Sequence, residues 1–503
     1  MFTFLPILKT ESIILKPTVE HMHYFLVISF FAYFFMLLCM GLYFHKKQTS
    51  AADFIIGNRS LNFWLTALSA HASDMSAWLF MAFPAAVFSS GLPKIWIAWG
   101  LIGGMFVNWQ FIAARLRRAT EKYNAHTLST FFERRFNDKS GTIRLLTAAI
   151  ALFFLASYIA AGLIAMGLLF ESVFGINYYV GLSVAMLVVV IYTLIGGFVT
   201  VAWTDLFQSL FLMAMIIFVP AYAFMHLPHG WQSIIEAAKN QNASLFFFKD
   251  LSLSSILEAI FMATWGLGYF GQPHIVTKFM GIRNVEEMHK SKYVGMSWLI
   301  LTLLGATAVG LIGLPFFDGQ LRDPQLVFID MVPLLFHPLV TGFILCAILA
   351  ANMSTMDSQL LVCASIISED FYKGIFRKEA SPQKLLLISR LGLVFTALSS
   401  LILAYNKSTT VLEAVRYAWA GLGCSFGPLM LMSLYSQSIN KYGAIAGILT
   451  GGIIAGTWEA YSKQLLGHNV PAEIPAFAVS LISIYLVSKW TAKITVECDS
   501  KDS

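Results

Sequence analysis

Charge is what this sequence has least of. Only 12% of its 503 residues are Asp, Glu, Lys or Arg, against 58% apolar and a mean hydropathy of +0.72. That balance excludes an ordinary soluble domain, in which about a quarter of the residues are charged. Cysteine is scarce as well. Cys39, Cys346, Cys363 and Cys424 fall inside apolar runs and Cys498 near the C-terminus, without metal-ligand spacing, so they read as small buried hydrophobes. No Pro- or Ser-rich linker and no low-complexity block interrupts the chain, which points to one domain over residues 1–503. Short strands of alternating polarity are absent too, which excludes a β-barrel.

What is present is a series of long uncharged runs, each about the length a helix needs to cross a bilayer core roughly 30 Å thick. They cover 24–44, 62–90, 93–114, 145–172, 176–200, 203–226, 253–277, 293–316, 332–363, 384–405, 411–436, 442–462 and 471–488. The expected fold is therefore an all-α membrane protein with 13 transmembrane helices. The first run has no small-residue cleavage site behind it, so it reads as a span and not as a secretory signal. Basic residues concentrate on one side, in Lys46, Lys47 and Arg59, then Arg115, Arg117, Arg118, Lys122, Arg134, Arg135, Lys139 and Arg144, then Lys278, Arg283, Lys290 and Lys292. Lys373, Arg377, Lys378, Lys384, Arg390 and Lys441 continue the pattern, with Lys489, Lys493 and Lys501 at the end. By the positive-inside rule the N-terminus is outside and the C-terminus inside. The net charge of +6 is then accounted for without nucleic acid.

The outward stretch 225–251 divides two groups of five spans, 62–226 and 253–436, flanked by 24–44 and by the last two helices, 442–488. Two consecutive five-span units must have opposite orientation, the geometry of LeuT-like 5+5 inverted repeats. In such proteins the leading helix of each unit is broken near the midplane, where freed carbonyls can bind cations. Here the second span carries Ser69, Ala70, Ala72, Ser73 and Ser76, and the seventh carries Gly266, Gly268, Gly271 and Pro273. The three glycines spell G-x-G-x-x-G, but no strand precedes them and no distal acidic residue follows. They read as close helix packing or as unwinding at a pocket.

Asp74 sits in mid-span, where an ionised carboxylate costs roughly 2.5–3.5 kcal/mol even on lenient scales. It is either a packing carboxyl or part of an ion or proton pathway. Ser73 and Ser76 beside it favour an oxygen-seeking cation such as Na⁺, whereas His71 reads as a packing residue. In the ninth span, Ser354, Thr355, Asp357 and Ser358 form a second oxygen-rich patch. Alone, such hydroxyls usually bond back to their own helix. Two patches on separate helices meet the needs of a cation site between them. Trp265 and Tyr269, four apart, would share one helix face, either in plain packing or as the wall of a ring-lined pocket.

Several stretches, "FIIGNRSLNFWLTALSAHASDMSAW", "IYTLIGGFVTVAWTDLFQS", "WGLGYFGQPHIVTKFM", "ILAANMSTMDSQLLVCASIISEDFYK" and "YAWAGLGCSFGP", together resemble the solute:sodium symporter family over most of the chain. "ASDMS" and "WGLGYFGQPH" resemble its proline branch. The resemblance implies Na⁺-coupled import of L-proline, with Na⁺ as the co-transported ion and no catalytic residue. It implies a sodium site of main-chain carbonyls at Ala72, Met75 and Ala351 with the hydroxyls of Ser354 and Thr355. Asp74 would assist sodium binding, and Asp205 would lie on the inward release route. Ser76 would lie near both ligands, and Tyr158, Trp265, Tyr269 and Pro273 would shape the substrate pocket. Arg59 would belong to the sodium-responsive inward face. The setting would be a bacterial plasma membrane, with the bilayer, sodium and proline or a similar small solute as partners. A sensor without net transport is the second reading, but the short stretch after the last span speaks against an attached output domain. A membrane enzyme is the third, and no side-chain cluster with catalytic spacing supports it.

Overall fold

The computed structural model describes residues 19–44, 51–376, 379–407, 409–466 and 470–492. Lys46, Lys47, Arg377, Lys378, Lys493, Cys498 and Lys501 lie outside the described residues. The architecture is helical throughout, because a bilayer offers no water to main-chain amides and each apolar segment must bond internally. The principal helices are α1 (Val19–Tyr43), α2 (Phe63–Ala72), α3 (Ala82–Ser90), α4 (Ile95–Val107) and α5 (Thr142–Phe174). Then come α6 (Tyr178–Gly196), α7 (Phe198–Met225), α8 (Leu253–Ala263), α9 (Pro273–Met280) and α10 (Met288–Phe317). The series ends with α11 (Pro338–Ser365), α12 (Pro382–Leu403), α13 (Val411–Tyr435), α14 (Lys441–Leu466) and α15 (Glu473–Trp490).

Among the described residues, ten helices are long and apolar enough to cross a membrane. The other expected spans fall on the interrupted pair α2 and α3 and on α13 and α14. Chain chemistry sets the helix ends. Asn62 caps α2 by accepting from the Leu65 amide at 2.9 Å, and Thr410 and Glu413 close a capping box at the start of α13. The expected span 332–363 starts instead at Pro338, because His337 and Pro338 form a helix start that separates α11 from a short preceding helix, Val327–Leu335. Beyond Ser365, α11 runs on as a π-helix over Ile366–Phe376. The stretch 225–251 holds a short helix, Trp231–Asn240.

The core lies around α5, α10 and α11. Of an 18-residue window in the span containing α11, 83% is buried, against 33% in α1, which packs on α11 from the outside. The segment 264–271 is held between α4 and α13, while α2 packs against α7 and α10. Both expected leading spans are interrupted, at 73–76 and at 264–272. These interruptions hold the candidate site.

Candidate functional site

The first break has neither glycine nor proline. The Ser73 amide still bonds back to Ser69 O at 3.0 Å, but the Ser76 amide turns to Asp74 O at 3.1 Å and leaves the Ala72 carbonyl without its helical partner. Ser76 is extended, at φ −77° and ψ −166°. Small polar side chains compete for the backbone here. Ser73 Oγ lies 2.6 Å from Ser69 O and 2.8 Å from Ser358 Oγ.

Two hydroxyls from α11 converge on the freed carbonyl. Ser354 Oγ is 2.9 Å and Thr355 Oγ1 3.2 Å from Ala72 O. Ser354 Oγ also lies 2.9 Å from Ala350 O and 3.0 Å from Ala351 O, and Thr355 Oγ1 lies 3.1 Å from Ala351 O. A hydroxyl carries one proton and can donate to only one of these carbonyls at a time. The remaining contacts set oxygen lone pairs against one another in a buried place, an arrangement that a cation stabilises. Met75 lies in the same unwound turn.

The second break is built differently. Thr264–Gly271 winds as a 3₁₀ helix, Gln272 is extended, and α9 begins with Pro273 in its first turn, where a missing amide costs nothing. Its loosened carbonyls are met by N–H donors. Trp419 Nε1 donates to Trp265 O at 2.8 Å, Gln272 Nε2 to Gly268 O at 3.1 Å, and Asn108 Nδ2 to Tyr269 O at 3.1 Å. Glycine is required for close approach. A methyl on Gly266 would stand 2.0 Å from Gly100 O, and one on Gly268 would stand 1.8 Å from Trp419 Nε1.

Aromatic rings wall the space between the breaks. Trp78 and Trp265 stack at 6.0 Å between centroids, Tyr269 meets Trp419 edge-on at 5.0 Å, and Tyr158 meets His274 at 5.6 Å. Trp265 and Tyr269 therefore do not share a face as expected for an α-helix. In a 3₁₀ helix, with three residues per turn, positions four apart diverge by about 120°. The Tyr269 hydroxyl donates to Asp74 Oδ2, and Tyr158 OH stands 3.5 Å from Asp74 O, joining the two breaks. Ser76 adjoins the Tyr158 hydroxyl.

The predicted residues thus fall into three places. Ala72, Ala351, Ser354 and Thr355 form the oxygen cluster. Asp74, Tyr158, Trp265, Tyr269 and Ser76 form the ring-lined space, with Pro273 starting the helix that follows it. Asp205 belongs to neither. Its Oδ2 accepts Ser69 Oγ at 2.6 Å and Lys278 Nζ at 3.1 Å in a fully buried ion pair, with Ser358 adjoining. Lys278 is correspondingly not one of the inward surface charges that hydropathy makes it, being 1% exposed. Arg59 donates to Thr120 O at 3.0 Å and Ala125 O at 3.2 Å, pinning α2's approach to the 114–127 segment. His71 accepts from Trp109 Nε1 at 3.2 Å between the rings of Trp109 and Trp298, a packing role as expected. Sequence reasoning missed Trp78, Asn108, Gln272 and Trp419. An isolated amide or indole in an apolar run was the available signal.

The sodium:solute symporter family model matches residues 54–451. The high-affinity proline transporter PutP of Bacillus subtilis is 41% identical over 456 residues, covering 90% of this chain and 95% of its own. The osmoregulated proline transporter OpuE of the same organism is 40% identical, covering 93% of this chain and 95% of its own. The sodium/proline symporter of Staphylococcus aureus is 41% identical, covering 92% of each. Among solved structures, a Na⁺-coupled sialic acid symporter in a substrate-bound outward-open state superposes with a TM-score of 0.79 at 18% identity, covering 93% of this chain and 98% of its own. MhsT, in complex with L-phenylalanine, superposes at 0.52 and 17% identity, covering 84% and 97%. A match over more than three-quarters of the chain, with such relatives, makes this protein a member of the sodium:solute symporter family.

Proposed function

We propose that this protein imports L-proline together with Na⁺ by alternating access, as a multi-pass protein of the bacterial plasma membrane. The observation that carries the reading is the convergence of the Ser354 and Thr355 hydroxyls on the freed Ala72 carbonyl, beside a ring-lined break. Relatives named for proline transport or sodium/proline symport, each matching over nine-tenths or more of this chain, support the choice of ligands.

In this reading sodium is held by the carbonyls of Ala72, Met75 and Ala351 and the hydroxyls of Ser354 and Thr355. Asp74 aids it, and Asp205 serves the inward route that Ser69, Ser73 and Ser358 line. Ser76, Tyr158, Trp265, Tyr269 and Pro273 shape the substrate pocket, and Arg59 braces the inward face. Thirteen helices cross the membrane, with the N-terminus outside and the C-terminus inside. Units 62–226 and 253–436 form the inverted repeat, each led by a broken helix, with 24–44 and 442–488 outside it. The fold of the structural neighbours supports that arrangement.

Moving one charge down 100 mV releases about 2.3 kcal/mol, and a tenfold Na⁺ gradient adds about 1.4, so one coupled ion sustains accumulation of roughly 500-fold. Labelled proline uptake into proteoliposomes tests the proposal. An inward Na⁺ gradient should drive uptake and an inside-negative potential should speed it. Uptake unchanged when choline replaces Na⁺ would reject sodium coupling.

A further inference from the structure

The proposed function gives proline's ring an aromatic wall and leaves its charged amine without a partner. Asp74 is wholly buried; its Oδ2 accepts the Tyr269 hydroxyl, and its Oδ1 has no hydrogen-bond partner. No ion pair among the described residues includes it, and the buried lysine of this region, Lys278, is engaged with Asp205. The groups around it are the hydroxyls of Tyr158 and Tyr269 and the indole of Trp78, whose Nε1 lies 3.4 Å from Asp74 O. A buried carboxylate oxygen without a donor, set among rings, is a place for an organic cation: the carboxylate supplies charge and the ring faces add their quadrupoles. A metal ion is better served at Ala72, Ser354 and Thr355, where a freed carbonyl and two hydroxyls converge.

We propose that Asp74 binds the substrate's ammonium group, its Oδ1 accepting from the secondary amine while Tyr269 fixes the carboxylate through Oδ2. This rests on the proline reading and deepens it. Asp74 then aids sodium through the chain and not by coordination. Ala72 and Asp74 belong to one unwound turn, so an ion on the Ala72 carbonyl fixes the turn from which the ammonium acceptor projects. Substrates are selected by a protonated amine next to a compact ring, and a carboxylate of the same shape without the amine leaves Asp74 buried and unpaired.

The test is competition against labelled proline, at saturating Na⁺, by cyclopentanecarboxylate, which keeps the ring and the carboxylate and lacks the amine. The wild-type protein should prefer proline by roughly 100-fold or more. Asp74→Asn should weaken proline by a similar factor and leave cyclopentanecarboxylate within a few-fold, so that the preference collapses. The Na⁺ midpoint without substrate, read from intrinsic tryptophan fluorescence, should move little. An Asp74→Asn protein that keeps the preference while its Na⁺ midpoint rises would overturn the proposal in favour of direct ion binding. If that variant does not fold, the wild-type competition decides alone: equal competition by cyclopentanecarboxylate overturns the role of Asp74. Absence of any Na⁺-dependent proline uptake by the wild type is a different result, and it rejects the proline reading along with this one.

Discussion

The two broken helices solve the same problem with opposite chemistry. At 73–76 the released Ala72 carbonyl meets hydroxyl oxygens, whereas at 264–272 the released carbonyls of Trp265, Gly268 and Tyr269 meet indole and amide N–H groups. One break is left rich in oxygen and short of protons. The other is already satisfied. A cation is attracted to the first and gains nothing at the second, where what remains is a rigid surface of rings. A symporter needs that division, since ion and substrate must occupy neighbouring places without competing for the same groups. Asp74 and Tyr269 connect the two breaks.

The largest effect should come from the buried ion pair beside the first break. Lys278→Met strands a buried Asp205 and should cost about 3–5 kcal/mol, seen as a marked fall in thermal stability of the purified protein. Asp205→Asn added to Lys278→Met should recover most of it, because a neutral pair leaves no buried charge unpaired. Equal instability of the single and double variants would contradict the pairing. At the second break, Gly266→Ala sets a methyl against the Gly100 carbonyl of a neighbouring helix, which cannot rotate away. A cost of about 1–3 kcal/mol is expected, with proline binding lost before Na⁺ binding. Trp419→Phe keeps the ring and deletes the donor to Trp265 O, so it should cost about 1–3 kcal/mol and weaken proline binding at an unchanged Na⁺ midpoint. Smallest is Ser73→Ala, which removes contacts to Ser69 O and Ser358 Oγ and should cost about 1 kcal/mol. A Trp419→Phe protein altered in Na⁺ midpoint, or a Ser73→Ala protein altered only in proline affinity, would erase the contrast between the breaks.

Helices were legible in the sequence because lipid leaves the main chain no other way to bond, and most of each expected span falls on helix among the described residues, the two breaks and the non-helical residues before Pro338 apart. The second break was legible for a local reason, three glycines and a proline within eight residues. The first was visible only as an excess of small polar side chains, since hydropathy runs unbroken from α2 to α3. Pairing was not legible. Asn108 and Trp419 reach carbonyls 161 and 154 residues away, and nothing at either position forecasts the partner. Lys278 misled for the same reason: its charge counts toward topology in one dimension and neutralises Asp205 in three. The helical face drawn through Trp265 and Tyr269 failed because tertiary packing, by bringing α4 and α13 against the glycines, winds that segment as 3₁₀.

The division between ion and substrate is tested most directly by equilibrium binding of labelled proline across a range of Na⁺ concentrations, in Thr355→Ala and in Trp265→Ala. Binding of the two ligands is reciprocally linked, so damage to the ion site should be reversible by Na⁺ and damage to the pocket should not. Thr355→Ala should raise the Na⁺ midpoint roughly tenfold and recover wild-type proline affinity once Na⁺ saturates, while Trp265→Ala should remain weak at every Na⁺ concentration. Two variants with the same profile, or a Thr355→Ala protein that stays weak for proline at saturating Na⁺, would contradict the assignment of ion and substrate to separate breaks.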